Sequence, residues 1–106
     1  MVSTDLHPAA AASEVDFDPE DRWLVHPRVA VRPEPFGALL YHFETRRLTF
    51  LKDRNLLALV EQLADAPSAS AARETAGIPT DQHERYMRAL ARLAQIKMLV
   101  REDAKE

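Results

Sequence analysis

From Phe36 to Lys52 the chain reads FGALLYHFETRRLTFLK, and its apolar positions recur with a period of two. Leu39, Tyr41 and Phe43 fall on one side, and Leu40, His42 and Glu44 on the other. In the second half Leu48 and Phe50 alternate with Thr49 and Leu51. This period predicts two strands. Glu44-Thr45-Arg46-Arg47 predicts the turn between them, without the Asn-Gly or Asp-Gly of the tightest hairpins. A hairpin alone is marginal in water, so the rest of the chain must supply its partners. Val29 and Val31 alternate with Arg28, Ala30 and Arg32 in a third short strand. Pro33 and Pro35 end it, because proline has no N–H for a ladder. Trp23-Leu24-Val25 is an apolar cluster that opens the ordered part.

After Lys52 the period becomes helical. In Asn55 to Asp65, Leu56, Leu59, Val60 and Leu63 form one stripe, with Asp53 or Asn55 as the cap. Ser68 caps a second helix from Ala69 to Ala76, with a small-residue face of Ala69, Ala72 and Ala76. Gly77 and Pro79 stop it. A third helix runs from Thr80, its cap, to Ile96, with Asp81 and Glu84 at its positive end. Tyr86, Leu90 and Leu93 form its core stripe; Arg85, Arg88 and Arg92 fall on the opposite side. Met98-Leu99-Val100 predicts an extended piece that closes the core. The expected class is α+β and winged-helix-like: a three-stranded antiparallel sheet followed by a three-helix bundle. Residues 1–22, with an alanine run, prolines and clustered acids, predict a disordered tail. Residues 23–100 form the expected domain, and 101–106 a frayed C-terminus.

Composition narrows the function. A chain of 106 residues suits one domain. Fourteen basic and 17 acidic residues give a net charge of -3, which argues against nucleic acid, whose phosphates need a basic surface. The absence of cysteine excludes disulfides and thiolate metal sites and is compatible with a reducing cytoplasm. The sequence predicts neither a membrane span nor a secretory signal. Two glycines, Gly37 and Gly77, cannot build a phosphate-cradling loop. His7, His26, His42 and His83 lack metal-ligand spacing, and no G-x-S-x-G motif occurs. The expectation is no enzyme, no cofactor and no metal.

Two features ask for a partner. The arginine stripe carries one sign in a net-acidic chain, and Arg46, Arg47 and Lys52 can extend it. A basic helix after a helix-turn-helix suits DNA, but Asp81 and Glu84 in its first turn would meet phosphates unfavourably. Secondly, the hairpin strand Arg47 to Lys52 has no later strand to pair with, and such an edge can take up an extended peptide. Leu40 and Leu51 read as its outer face, opposite the core. The candidate peptide-binding residues are Leu40, Arg47, Leu48, Thr49, Phe50, Leu51, Lys52, Arg85, Ala89 and Arg92. Ala89 would let a backbone approach the helix, and Arg85 and Arg92 would pair with carboxylates.

The run VHPRVAVRPEPFGALLYHF from Val25 to Phe43 is more specific. With Arg47-Leu48-Thr49-Phe50-Leu51-Lys52 and Met98-Leu99-Val100, it resembles the small peptide chaperones of mycofactocin biosynthesis. That family is similar to the pyrroloquinoline quinone peptide chaperones and to the precursor-peptide recognition elements of ribosomally made, modified peptides. The resemblance covers residues 23–100 and departs at Lys97, where glycine is expected. It implies a non-enzymatic adaptor that binds the leader of a precursor peptide and presents it to a radical S-adenosylmethionine maturase. It also implies that the leader adds as a strand to Arg47–Lys52 and lies against Thr80–Ile96, and that it is acidic, which gives the arginines a partner. The alternative from the residues alone is a small winged-helix DNA-binding transcriptional regulator.

Overall fold

A computed structural model describes residues 17–102 together with the backbone of a strand at Val2–Leu6. In chain order the strands are β1 (Val2–Leu6), β2 (Trp23–Val25), β3 (Val29–Glu34), β4 (Gly37–His42), β5 (Arg47–Leu51) and β6 (Leu99–Arg101). The helices, all between β5 and β6, are α1 (Arg54–Gln62), α2 (Ala69–Ala76) and α3 (His83–Gln95).

The main sheet has the order β1-β5-β4-β3. Its two antiparallel pairings follow the alternation in the sequence: β3 pairs with β4 and β4 with β5, with Val31 opposite Leu40 and Leu40 opposite Thr49. β1 lies along the outer side of β5 in parallel, with Val2 opposite Arg47 and Leu6 opposite Leu51. The edge expected to be unpaired is therefore covered by the chain's own N-terminal segment.

Glycine is demanded where β4 starts. Gly37 has φ +149°, and a Cβ there would stand 1.9 Å from the backbone oxygen of Leu51. β4 and β5 can close on each other only because that atom is missing. At the other end of the hairpin Arg46 takes the left-handed φ of 65° and donates its N–H to the carbonyl of His42 at 2.8 Å.

Asp53 and Ser68 cap α1 and α2 as expected, accepting from the N–H of Leu56 and Ala71 at 3.0 Å each. The start of α3 differs from expectation. Thr80–Gln82 form a 3-10 turn, α3 begins at His83, and no side chain caps it. Instead His83 Nε2 lies 2.9 Å from the carbonyl of Ile78, two residues before the turn.

α2 and α3 end in the same way. Gly77 and Lys97 both have left-handed φ, 75° and 70°. Gly77 N–H donates to Glu74 and Ile78 N–H to Arg73; Lys97 N–H donates to Ala94 and Met98 N–H to Leu93. Both are Schellman ends, in which the left-handed residue turns the chain so that the last carbonyls are satisfied. The Schellman geometry accounts for the glycine expected at position 97.

Beyond Lys97, Leu99–Arg101 pairs antiparallel with β2, Trp23 opposite Arg101 and Val25 opposite Leu99. The closing extended piece is thus half of a second, two-stranded sheet. Arg22 and Glu102 form an ion pair, and Arg101 Nη1 lies 3.2 Å from Asp21 Oδ2. Residues 17–22, read as tail, pack on the domain. Phe17 stacks on Trp23 with centroids 4.8 Å apart, Trp23 Nε1 donates to the carbonyl of Asp18, and Ser70 N–H donates to that of Pro19. The expectations for residues 7–16 and 103–106 lie outside the described residues.

The core sits between the inner face of the sheet and the helices. Leu56, Leu59 and Leu63 from the first helical segment, Ala69 and Ala72 from α2, and Tyr86, Leu90 and Leu93 from α3 are buried there. These are the stripes the helical period marks.

Candidate functional site

The assignment of faces in the hairpin is reversed in the structure. Leu40 and Leu51, expected to look outward, are fully buried in the core, as are Ala38 and Thr49 beside them. Leu39, Tyr41, Leu48 and Phe50 point the other way and are half-buried, while Phe36 and Phe43 are 45% and 57% exposed. Phe36 packs near Phe50, with centroids 6.2 Å apart, and Tyr41 meets Phe43 edge to face at 5.2 Å. The outer face of the sheet is thus an apolar, partly aromatic surface. Ala89 is fully buried, so it offers no exposed surface to an approaching backbone.

The arginine stripe separates into parts with different surroundings. Arg88 Nη1 lies 3.3 Å from Glu84 Oε2 one turn earlier, an ordinary surface pair. Arg85 is exposed. Arg92 donates to Gln95 Oε1 at 3.0 Å and lines a cleft with the start of β5. Thr45, Arg47, Arg92, Gln95, Ile96 and Lys97 line this cleft of about 380 Å³. Three of those six residues are cations and none is an acid. At the start of β5 the fold therefore brings Arg47 and Arg92 together, from positions 45 residues apart in the chain, and adds Lys97, which sequence reasoning did not select. The signal for Lys97 was the missing glycine: a left-handed residue just past a helix end projects its side chain beside the last turn.

Sequence spacing also concealed a histidine pair. His26 and His42 have ring centroids 4.5 Å apart, and Glu44 completes a group whose candidate ligand atoms lie within 4.8 Å of one another. The hydrogen bonds decide what the pair can do. His42 Nδ1 accepts from the N–H of Glu44 and Thr45 at 3.2 and 3.3 Å, and His26 Nδ1 accepts from that of Arg28 at 2.9 Å. An imidazole accepting at Nδ1 is neutral and carries its proton on Nε2. Coordination through Nε2 needs that lone pair free, so these hydrogen bonds oppose a metal. The His42 pKa is lowered, first by burial and then by His26, against a smaller opposing effect of Glu44.

On the opposite flank, beyond β3, Leu24, Val25, Val31, Pro33, Val60, Glu61 and Ala64 line an apolar groove of about 400 Å³. Among the described residues no helix is long and apolar enough to cross a membrane.

Comparison with known proteins gives a consistent result. A family model described as the peptide chaperone MftB family matches residues 22–100. The peptide chaperone MftB of Mycobacterium ulcerans is 53% identical over 95 residues, covering 90% of this chain and 87% of its own length. Its namesakes in Mycolicibacterium smegmatis and Mycobacterium tuberculosis are 53% and 52% identical over 89 and 92 residues, covering 84% and 87% of this chain, and 87% and 84% of their own lengths. No solved structure matches.

Proposed function

Because this chain belongs to the peptide chaperone MftB family, we propose that it is a non-enzymatic adaptor of mycofactocin biosynthesis which binds the precursor's leader as a strand along β5. It then presents that peptide to a radical S-adenosylmethionine maturase. The observation that carries the reading is that β5's outer edge accepts a strand, as its pairing with Val2–Leu6 demonstrates, and runs into a cleft of Arg47, Arg92 and Lys97. An extended acidic peptide fits both parts. Backbone bonds to β5 give affinity without regard to side chains, and the cleft selects carboxylates.

The site is revised accordingly. Leu48 and Phe50, on the outer face next to the edge, supply apolar contacts in place of Leu40 and Leu51. Arg47, Thr49 and Lys52 contribute backbone along the edge. Arg92 rather than Arg85 is the principal partner of the leader's acids. The arrangement of β3–β5 with the three helices is read as winged-helix-like, used for peptide rather than DNA. Arg88 already has Glu84 as its partner, and the net charge is -3, so α3 is poorly furnished for phosphates. The adaptor works in the cytoplasm, where ribosomal peptides are made.

The test is a fluorescence-anisotropy titration of a labelled leader peptide from the host's precursor, beside random duplex DNA, at low and high salt. The reading expects saturable binding of the acidic leader that weakens with salt and no comparable binding of DNA. Tight DNA binding with no leader binding would replace it with the regulator.

A further inference from the structure

β5 already has an outer neighbour. β1 runs along it in parallel and in unbroken register from Val2 opposite Arg47 to Leu6 opposite Leu51. We propose that β1 is an intramolecular competitor for the leader: it closes the β5 edge in cis, and the leader binds by displacing it. This inference rests on the reading of β5 as the leader's strand.

The physical basis is that one edge can hold one strand. The N–H and C=O groups on the outer side of β5 can each serve a single neighbour at a time. Occupancy by β1 and by a leader is therefore mutually exclusive. A bare edge invites pairing with any extended chain, and β1 prevents that when no precursor is present. Being tethered, β1 competes at a high effective concentration. A chance extended segment must overcome that advantage, and a leader must bring additional contacts to do so.

Several features make β1 displaceable. It has only five residues, so few backbone bonds hold it. Its pairing is parallel, the slightly weaker arrangement per residue. Its sequence, Val-Ser-Thr-Asp-Leu, places Val2 at the register position of Arg47. Its one acid, Asp5, stands opposite Phe50, three positions along or about 10 Å. A leader with an acid at the Arg47 position therefore has a contact to gain in the cationic cleft that the register of β1 does not supply. The exchange of strands thus filters for carboxylates as well as for extended backbone. β1 lies outside residues 22–100, the part matched by the family model.

The experiment uses the full chain carrying Ser3→Pro and Thr4→Pro together. Adjacent strand amides point to opposite sides, so the pair removes a donor from the ladder whichever residue carries it. After circular dichroism confirms an unchanged fold, two probes are titrated: the labelled leader peptide and an unlabelled peptide with the sequence of residues 1–8. The variant should bind the leader on the order of tenfold more tightly than the unaltered chain. The 1–8 peptide should displace the leader from it. Equal leader affinity in both chains, with the leader still protecting the Arg47–Leu51 amides of the variant from exchange, overturns the competitor while leaving the leader site intact. Leader binding that leaves those amides unprotected overturns the site itself, and the competitor with it.

Discussion

Tyr86 Oη donates to Asp53 Oδ2 at 2.9 Å, while Asp53 Oδ1 accepts from the N–H of Leu56 at 3.0 Å. One carboxylate thereby joins the residue two places after β5, the first turn of α1, and the first turn of α3. This contact ties the start of α3 to the segment that follows β5.

Replacing Tyr86 with phenylalanine removes the hydroxyl and leaves the packing. A hydrogen bond to a charged acceptor is worth roughly 1.5–3 kcal/mol, and Asp53 is partly exposed, so a loss of about 1–2 kcal/mol is expected. For a domain of this size that corresponds to a fall in Tm of roughly 4–15 °C. Calorimetry checks it; an unchanged Tm means the link between the elements is carried by packing alone.

Lys97 holds a left-handed φ of 70° at the Schellman end of α3. A residue with a Cβ pays roughly 1–2 kcal/mol there, and glycine does not. Glycine also makes the unfolded chain more flexible, which offsets part of the gain. Lys97→Gly should therefore stabilise the fold by about 0.5–1 kcal/mol in urea unfolding at pH 7. The same change removes one cation from the cleft, so leader binding should weaken slightly while stability rises. Opposite signs in the two measurements would be difficult to explain unless the position serves both roles.

His42 is buried and neutral, with its pKa depressed. In the unfolded chain it titrates near 6.5. Below that pH the unfolded state binds a proton that the folded state refuses, so the unfolded state is favoured. The stabilisation is fully present above about pH 6.5 and is lost as pH falls through the lowered folded value. Stability measured by urea from pH 7.5 to 5 should fall, and the fall should be shallower in His42→Gln. An identical slope in the variant would assign the effect to other groups.

Much of the fold is legible in the sequence because the helical stripes and the hairpin alternation each specify one face. The hairpin's inner face was not legible, and the reason is physical. β4 carries Leu39 and Tyr41 on one side and Ala38 and Leu40 on the other, so both sides are apolar and alternation alone cannot choose. The choice is made by the helices, which cover the Ala38, Leu40, Thr49 and Leu51 face. The β2–β6 pairing escaped for a different reason. Two three-residue strands separated by more than 70 residues leave no periodic signal, and neither does a parallel partner such as β1. The arginine stripe was visible, but only the cleft shared with Arg47 separates Arg92 from Arg85.

Arg47→Ala with Arg92→Ala should weaken leader binding by roughly two- to thirty-fold at low salt, since each partly exposed pair contributes about 0.2–1 kcal/mol. Arg85 lies seven residues before Arg92, about 10 Å back along the helix axis, and does not line the cleft. Arg85→Ala should change affinity less than Arg92→Ala. The reverse order would move the acidic contacts toward the start of α3.

The most direct measurement is amide hydrogen exchange of the Ser3→Pro/Thr4→Pro chain, with and without the leader peptide, resolved by residue. Without the leader, the outward-directed amides between Arg47 and Leu51 should exchange faster than in the unaltered chain. At saturating leader they should regain protection, as an added strand requires. If the leader saturates the protein by anisotropy but protects the groove of Leu24, Val31 and Val60 while β5 stays open, the leader binds on the opposite flank and the account of β5 as its strand is wrong.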